Sequence, residues 1–249
     1  METTYSSLLA EYGPFFADAR RRLSVVIIFF IFVFVATFFL SPTLINQMID
    51  VLNFPNVSYV VNAPFQIIGL SIDLALSVAL VATAPLFFVE IYEFIHPALK
   101  PSEKRNLLAL VLGSGALFLI GFMYGVIIMY WGYEVVATFN ASLSLQNLWS
   151  IDVFFSQLLL TSALLGILFQ FPILILILLQ LEFLGHIHLV EYRRAVIATV
   201  FIFVALLPPT DGLSLLAMAL PLIGLYELTV MVAKRRTHVQ KKRSQLFIL

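Results

Sequence analysis

The amino-acid sequence predicts an all-α polytopic membrane protein: six transmembrane helices, kinked into a concave bundle, with both termini on the cytoplasmic side. Three observations carry that expectation. First, 61% of the 249 residues are hydrophobic and 11% are charged, whereas a soluble domain averages about 45–50% apolar and about 25% charged. Second, the Lys and Arg residues fall in four clusters: Arg20 to Arg22; Lys100, Lys104 and Arg105; Arg193 and Arg194; and Lys234 to Arg243. Third, these clusters alternate with base-free loops at 41–66, 133–152 and 208–211. Basic loops are retained in the cytoplasm, so the alternation sets the topology as well as the number of crossings.

The same inventory excludes other classes. A net charge of +0 leaves no electrostatic footprint for a nucleic acid. The chain has no Cys, which removes disulfides, thiolate catalysis and thiolate metal sites. His96, His186, His188 and His238 all fall in polar segments, away from the apolar runs.

Residues 1–22 form a cytoplasmic interfacial segment, in which Phe15 and Phe16 beside Asp18 suggest an amphipathic helix lying on the membrane. The first spanning helix is expected over 23–40. Its "ARRRLSVVI" start resembles an export signal, but no small-residue cleavage site follows the eighteen-residue run, only Ser41-Pro42-Thr43. It reads as a retained helix. The second helix covers 67–93, with Asp73 near one end and Glu90 and Glu93 near the other. Such acids reach headgroups or water when they sit at helix ends.

A polar hinge, "EFIHPALKPSEKR" at Glu93–Arg105, leads into a third helix over 106–132. The fourth, over 152–181, carries Gln170 near its middle, just before Pro172. Two readings stand for this amide: a bond to a carbonyl freed by the proline, or a polar spot in a water-accessible concavity. The fifth helix, over 193–207, has an apolar run of only thirteen residues, Ala195–Leu207, before Pro208-Pro209. That is about 20 Å against a hydrocarbon core of about 30 Å. Either Tyr192, Arg193 and Arg194 extend the helix and snorkel, or the bilayer thins there. "PPTDG" at 208–212 is a tight turn. The sixth helix covers 212–233 with Glu227 near its inner end, and 234–249 is a basic cytoplasmic tail. Pro85, Pro172 and Pro221 are each expected to bend their helices, and bent helices can wall a concave surface.

Several short stretches then point the same way: Asp18 followed by Arg20 to Arg22, "APF" at 63–65, "FIHPALKPSEKR", "GFMYG" at 121–125, "FQFP" at 169–172, "PPTD" at 208–211 and "LPLIGLYE" at 220–227. In this order the chain resembles the TatC family, the multispanning receptor subunit of the twin-arginine protein translocase. The F-x-x-P-A-L-x-x-x-E pattern of the hinge is the most specific part. The chain departs from the family at Asp18, where Glu is usual, at Gln170, where Glu is common, and at Pro208, where Thr is usual.

The resemblance implies a protein of the cytoplasmic membrane that binds the paired arginines of a signal peptide and takes part in protonmotive-force-driven export of folded cargo. It implies TatA- and TatB-type single-spanning subunits and further copies of itself as partners, with no cofactor and no catalytic residue. Glu103 and Asp18 are then the acids that meet the arginines, Phe94 and Leu99 the apolar edge of the patch, and Arg20 its basic neighbour. Gln170, Pro85, Pro172, Asp211 and Glu227 are structural polar and bending positions.

The physics suits Glu103. A guanidinium is a flat, permanently charged fork that a carboxylate can grip bidentately, and an ammonium cannot copy that geometry. Glu103 has a structural reading too, as an acid favourably placed in the first turn of the third helix. Asp18 likewise has the alternative of pairing with Arg21 or Arg22 one turn along. The rival function is a small-molecule or ion secondary transporter, but no clear repeat relates the two halves. A hydrolase lacks its inventory: no Cys, no HExxH and no nucleophile elbow.

Overall fold

In a computed structural model, residues 2–52, 54, 57–95, 101–180, 186–208 and 212–246 are described. The side chains of residues 2–15, 95, 101–109, 180, 186–188 and 235–246 lie outside that description. Among the described residues, eight helices and two short strands follow in the order α1 (Glu2–Val51), β1 (Val57–Val60), α2 (Gln66–Ile95), α3 (Pro101–Ser142), β2 (Asn147–Ser150), α4 (Ile151–Leu168), α5 (Phe171–Gln180), α6 (His186–Glu191), α7 (Arg193–Ala205) and α8 (Gly212–Leu246).

Among the described residues, five segments are long and apolar enough to cross a bilayer: Phe16–Val51, Gln66–Phe94, Leu110–Ser142, Ile151–Leu179 and Gly212–Lys234. The thirteen-residue α7 is too short to be among them. Large apolar side chains face outward along the flanks; Ile28, Phe32 and Phe39 of α1 are 68%, 68% and 77% exposed. In water such a surface would aggregate; against acyl chains it is the expected exterior.

In hydrocarbon every backbone carbonyl needs an internal donor, and three side chains act on that constraint. Helix α1 runs on through Pro42, which lacks the N–H that would bond the Phe38 carbonyl. The Ser41 hydroxyl donates to that carbonyl instead, at 2.7 Å. Between α4 and α5, the Gln170 N–H turns to the Ile167 carbonyl at 2.9 Å. This frees the Gly166 carbonyl, which accepts from the side-chain amide of Gln170 at 3.3 Å. The Pro208 carbonyl past α7 accepts from the buried Thr161 hydroxyl at 2.7 Å.

Helices α3 and α4 approach each other closely. A Cβ built on Gly121 would lie 2.6 Å from the Phe169 ring, and one on Gly125 only 2.5 Å from the Cα of Ser162. Small residues four apart let two helix backbones approach closely, the packing expected where lipid supplies no hydrophobic drive between helices.

One end of the molecule carries β1 and β2, which pair in parallel with Val57 opposite Asn147 and Tyr59 opposite Trp149. This strand end is plugged by aromatic rings. Phe54, 2% exposed, stacks on Tyr130 at 4.7 Å and meets Trp149 and Phe154 at 5.6 Å each. The opposite end carries Arg20 to Arg22, the start of α3 and the start of α7, and is called the basic end below.

Candidate functional site

At the basic end α1 and α2 meet through ions. Asp18 and Arg22 sit one turn apart on α1, and the Nε of Arg22 donates to Asp18 Oδ2 at 2.9 Å. Glu90 and Glu93 sit three apart on α2, a spacing that puts both on one helix face. The Nη1 of the same arginine donates to Glu93 Oε2 at 2.7 Å and Glu90 Oε2 at 3.1 Å. One guanidinium therefore serves three carboxylates drawn from two helices. Among the described ion pairs of α1 and α2, three carboxylates share the one guanidinium.

Its members differ in shielding. The side chains of Arg22 and Glu90 are 22% and 19% exposed, while Asp18 and Glu93 are 43% and 57% exposed. Partial shielding matters, because opposite charges 4 Å apart attract by about 1 kcal/mol in water but about 4 kcal/mol at an effective dielectric near 20. Phe94, half-buried, follows Glu93 at the end of α2, and Arg20 is exposed on α1.

Pro101 opens α3, where its fixed φ and missing N–H suit the first helical position, and Glu103 falls in that first turn. Its position is described by backbone alone. Leu99 and Asp211 lie outside the described residues. The two acids nominated for arginine recognition thus sit on different helices, Asp18 on α1 and Glu103 at the start of α3, with the end of α2 between them in the chain.

The nominated structural residues lie elsewhere. Pro85 and Pro221 are inside α2 and α8, and Pro172 is in the first turn of α5. The Oε1 of Gln170 is fully shielded and has no partner among the described residues. Glu227 of α8 accepts from the Nε of Arg193 at 2.6 Å. That bond ties down the basic start of α7, while the buried Tyr226 hydroxyl donates to the Leu189 carbonyl of α6.

Sequence reasoning did not find the hub role of Arg22, nor that Glu90 and Glu93 reach it across 68 and 71 residues. The i, i+3 spacing of two acids at a helix end was the available signal. Asp73, read as an end-of-helix acid, accepts from the Ser156 hydroxyl of α4 and so joins two helices.

Comparison with known proteins gives concordant matches. The TatC profile, described as Sec-independent protein translocase protein, matches residues 15–221. The Sec-independent protein translocase protein TatC of Helicobacter pylori is 30% identical over 175 residues, 69% of this chain and 68% of that protein. The TatCy protein of Bacillus subtilis is 24% identical over 239 residues, covering 92% and 90% of the two chains. A crystal structure of the twin-arginine translocase receptor TatC superposes with a TM-score of 0.76 at 25% identity, over 88% of this chain and 99% of that one. With its fold matched nearly end to end and its sequence matched from the basic end of α1 into α8, the chain belongs to the TatC family of Sec-independent protein translocase proteins.

Proposed function

We propose that this protein is the receptor subunit of a twin-arginine translocase, binding signal peptides with paired arginines at its basic end and taking part in export of the folded cargo behind them. The observation that carries the reading is the likeness to a twin-arginine translocase receptor, with a TM-score of 0.76 over 88% of the chain. Membership in a translocase family fits a binding role and no catalytic one.

On this reading the protein resides in the cytoplasmic membrane with both termini and the basic end inside. α4 and α5 together make the fourth crossing, and the short α7 makes the fifth. Glu103 takes one arginine of the signal through a bidentate carboxylate–guanidinium pair, and Asp18 faces the second. Phe94 and Leu99 form the apolar edge, and Arg20 flanks it. Single-spanning TatA- and TatB-type subunits and further copies of the chain complete the complex.

The test is binding of a fluorescent twin-arginine signal peptide to the purified full chain in nanodiscs. A hydrogen bond to a charged group contributes about 1.5–3 kcal/mol, so Glu103→Ala is expected to weaken binding by at least about tenfold, and Glu103→Asp by less. Equal affinities for wild type and Glu103→Ala would overturn the assignment.

A further inference from the structure

The guanidinium on the α1–α2 acids is the chain's own, yet it is the chemical group this end of the protein is proposed to bind. We infer that Arg22 is an internal competitor: it occupies Glu93 in the cargo-free protein, and an arginine of the signal peptide displaces it from that carboxylate. This rests on the proposed receptor function and names Glu93 as a further residue that selects for arginine.

Three features of the geometry support exchange rather than a fixed structural bridge. First, Arg22 is spread thin. Its Nε goes to Asp18, and its Nη1 is shared between Glu90 and Glu93 at 3.1 and 2.7 Å. No acid receives the paired, parallel hydrogen bonds that make an arginine–carboxylate pair strong. An incoming guanidinium can give Glu93 two donors where Arg22 gives it part of one.

Second, the exposures are graded in the direction that exchange requires. Glu93 is 57% exposed, whereas Glu90 and Arg22 are 19% and 22% exposed. The carboxylate most open to a ligand is thus the one farthest from being committed by burial. Arg22 has a fallback partner when it gives up Glu93: the shielded Glu90, which the signal peptide is not proposed to engage. Its charge is never left uncompensated, so release avoids the large penalty of an orphaned, partly buried ion.

Third, the charge balance favours arrival. Among the described residues, Asp18, Glu90 and Glu93 make ion pairs with one base, Arg22, so this cluster itself keeps an excess of negative charge while Arg22 is seated. A lysine, delivering a point charge, can be drawn to the patch but cannot out-compete a seated guanidinium through paired donors. The internal arginine therefore raises the threshold a ligand has to meet, and rejects basic segments that lack the fork.

A competitor that leaves the site open only roughly one-tenth to one-third of the time weakens observed affinity by about three- to tenfold. Arg22→Gln in the full chain, in nanodiscs, is therefore expected to bind a twin-arginine peptide about three- to tenfold more tightly, and to discriminate less against a twin-lysine peptide. Glu93→Gln is expected to weaken binding, and in the double variant the gain from Arg22→Gln is expected to vanish, since the contested carboxylate is gone. Unchanged or weaker binding by Arg22→Gln overturns the inference, as does a gain that persists without Glu93. Should Arg22→Gln fail to fold, Arg22→Lys decides. It keeps the charge but loses the fork, and is expected to tighten twin-arginine binding by about twofold; no gain overturns the inference. Glu103→Ala, run in parallel, separates the two levels. If it leaves binding intact, the assignment of Glu103 falls. If it impairs binding while Arg22→Gln changes nothing, only the competitor falls.

Discussion

Replacing Gly125 by Ala tests the packing that holds α3 against α4. The added methyl would lie 2.5 Å from the Cα of Ser162 and 3.1 Å from its Cβ and Oγ. Carbon atoms pack best at about 3.5–4.0 Å, so the contact is short by about 1 Å, and the obstacle is backbone that cannot rotate away. The two helices also interlock at Gly121 against Phe169 and at Gly166 against Phe118, so a local shift propagates along the seam. Overpacking of this kind costs about 1–3 kcal/mol, and a methyl driven into backbone belongs near the upper limit. Against it stands the helix propensity of Ala over Gly, about 0.8–1.0 kcal/mol. The net loss is about 1–2 kcal/mol, or roughly 2–8 °C in melting temperature. Gly113 of the same helix has nothing within 4 Å of its built Cβ, so Gly113→Ala is the internal control and should melt at or slightly above wild type. Thermal unfolding of the detergent-solubilised variants measures both. If Gly125→Ala melts as high as Gly113→Ala, the close α3–α4 seam is wrong.

Two further outcomes follow from single side chains. Gln170→Glu places a carboxyl where the amide is now shielded in the middle of a spanning segment. A charge there costs about 2.5–3.5 kcal/mol, so the variant should be clearly less stable than wild type near pH 8 and recover towards pH 5, where the carboxyl is neutral; a pH-independent difference would contradict this. At the strand end, burial, helped by nearby Tyr130, pushes the half-buried Tyr59 phenol up to about 12 from an ordinary value near 10. Its hydroxyl donates to the Leu52 carbonyl at 2.9 Å. The folded form keeps its proton longer than the unfolded form, so stability should decline from about pH 10 to 12, and Tyr59→Phe should flatten that decline in a pH-resolved melting series.

Much of the fold was legible because the lipid environment enforces simple rules. Apolar runs of spanning length had to be helices, and clusters of bases at alternate loop ends marked two faces. Where the reading differed from the structure, a short-range signal was offset by a side chain. The first spanning helix was expected to end at Leu40, yet α1 runs on to Val51, with the Ser41 hydroxyl satisfying the carbonyl that Pro42 leaves bare. The fifth run looked too short, and α7 includes Arg193, whose charge is matched by Glu227. The break at Phe169–Gln170 divides what reads as one run, since Pro172 gives the place but not the way the hydrogen bonds rearrange.

The candidate site was legible in part. The hinge pattern ending at Glu103 is local in sequence, as is the i, i+4 spacing of Asp18 and Arg22. The convergence of Glu90 and Glu93 on Arg22 depends on how α2 docks against α1, which no local pattern encodes. Gly121 and Gly125 were visible as a motif, but their contact with Phe169 and Ser162 needed the second helix in place.

The central claim is that carboxylates at the basic end recognise the planar fork of arginine and not merely positive charge. The most direct measurement compares a signal peptide carrying Arg-Arg with the same peptide carrying Lys-Lys, bound to wild-type protein in nanodiscs across a range of salt concentrations. Bidentate recognition requires the Arg-Arg peptide to bind at least about tenfold more tightly at every ionic strength. Equal affinities that fall together as salt screens the patch would reduce the site to simple charge attraction and contradict the account.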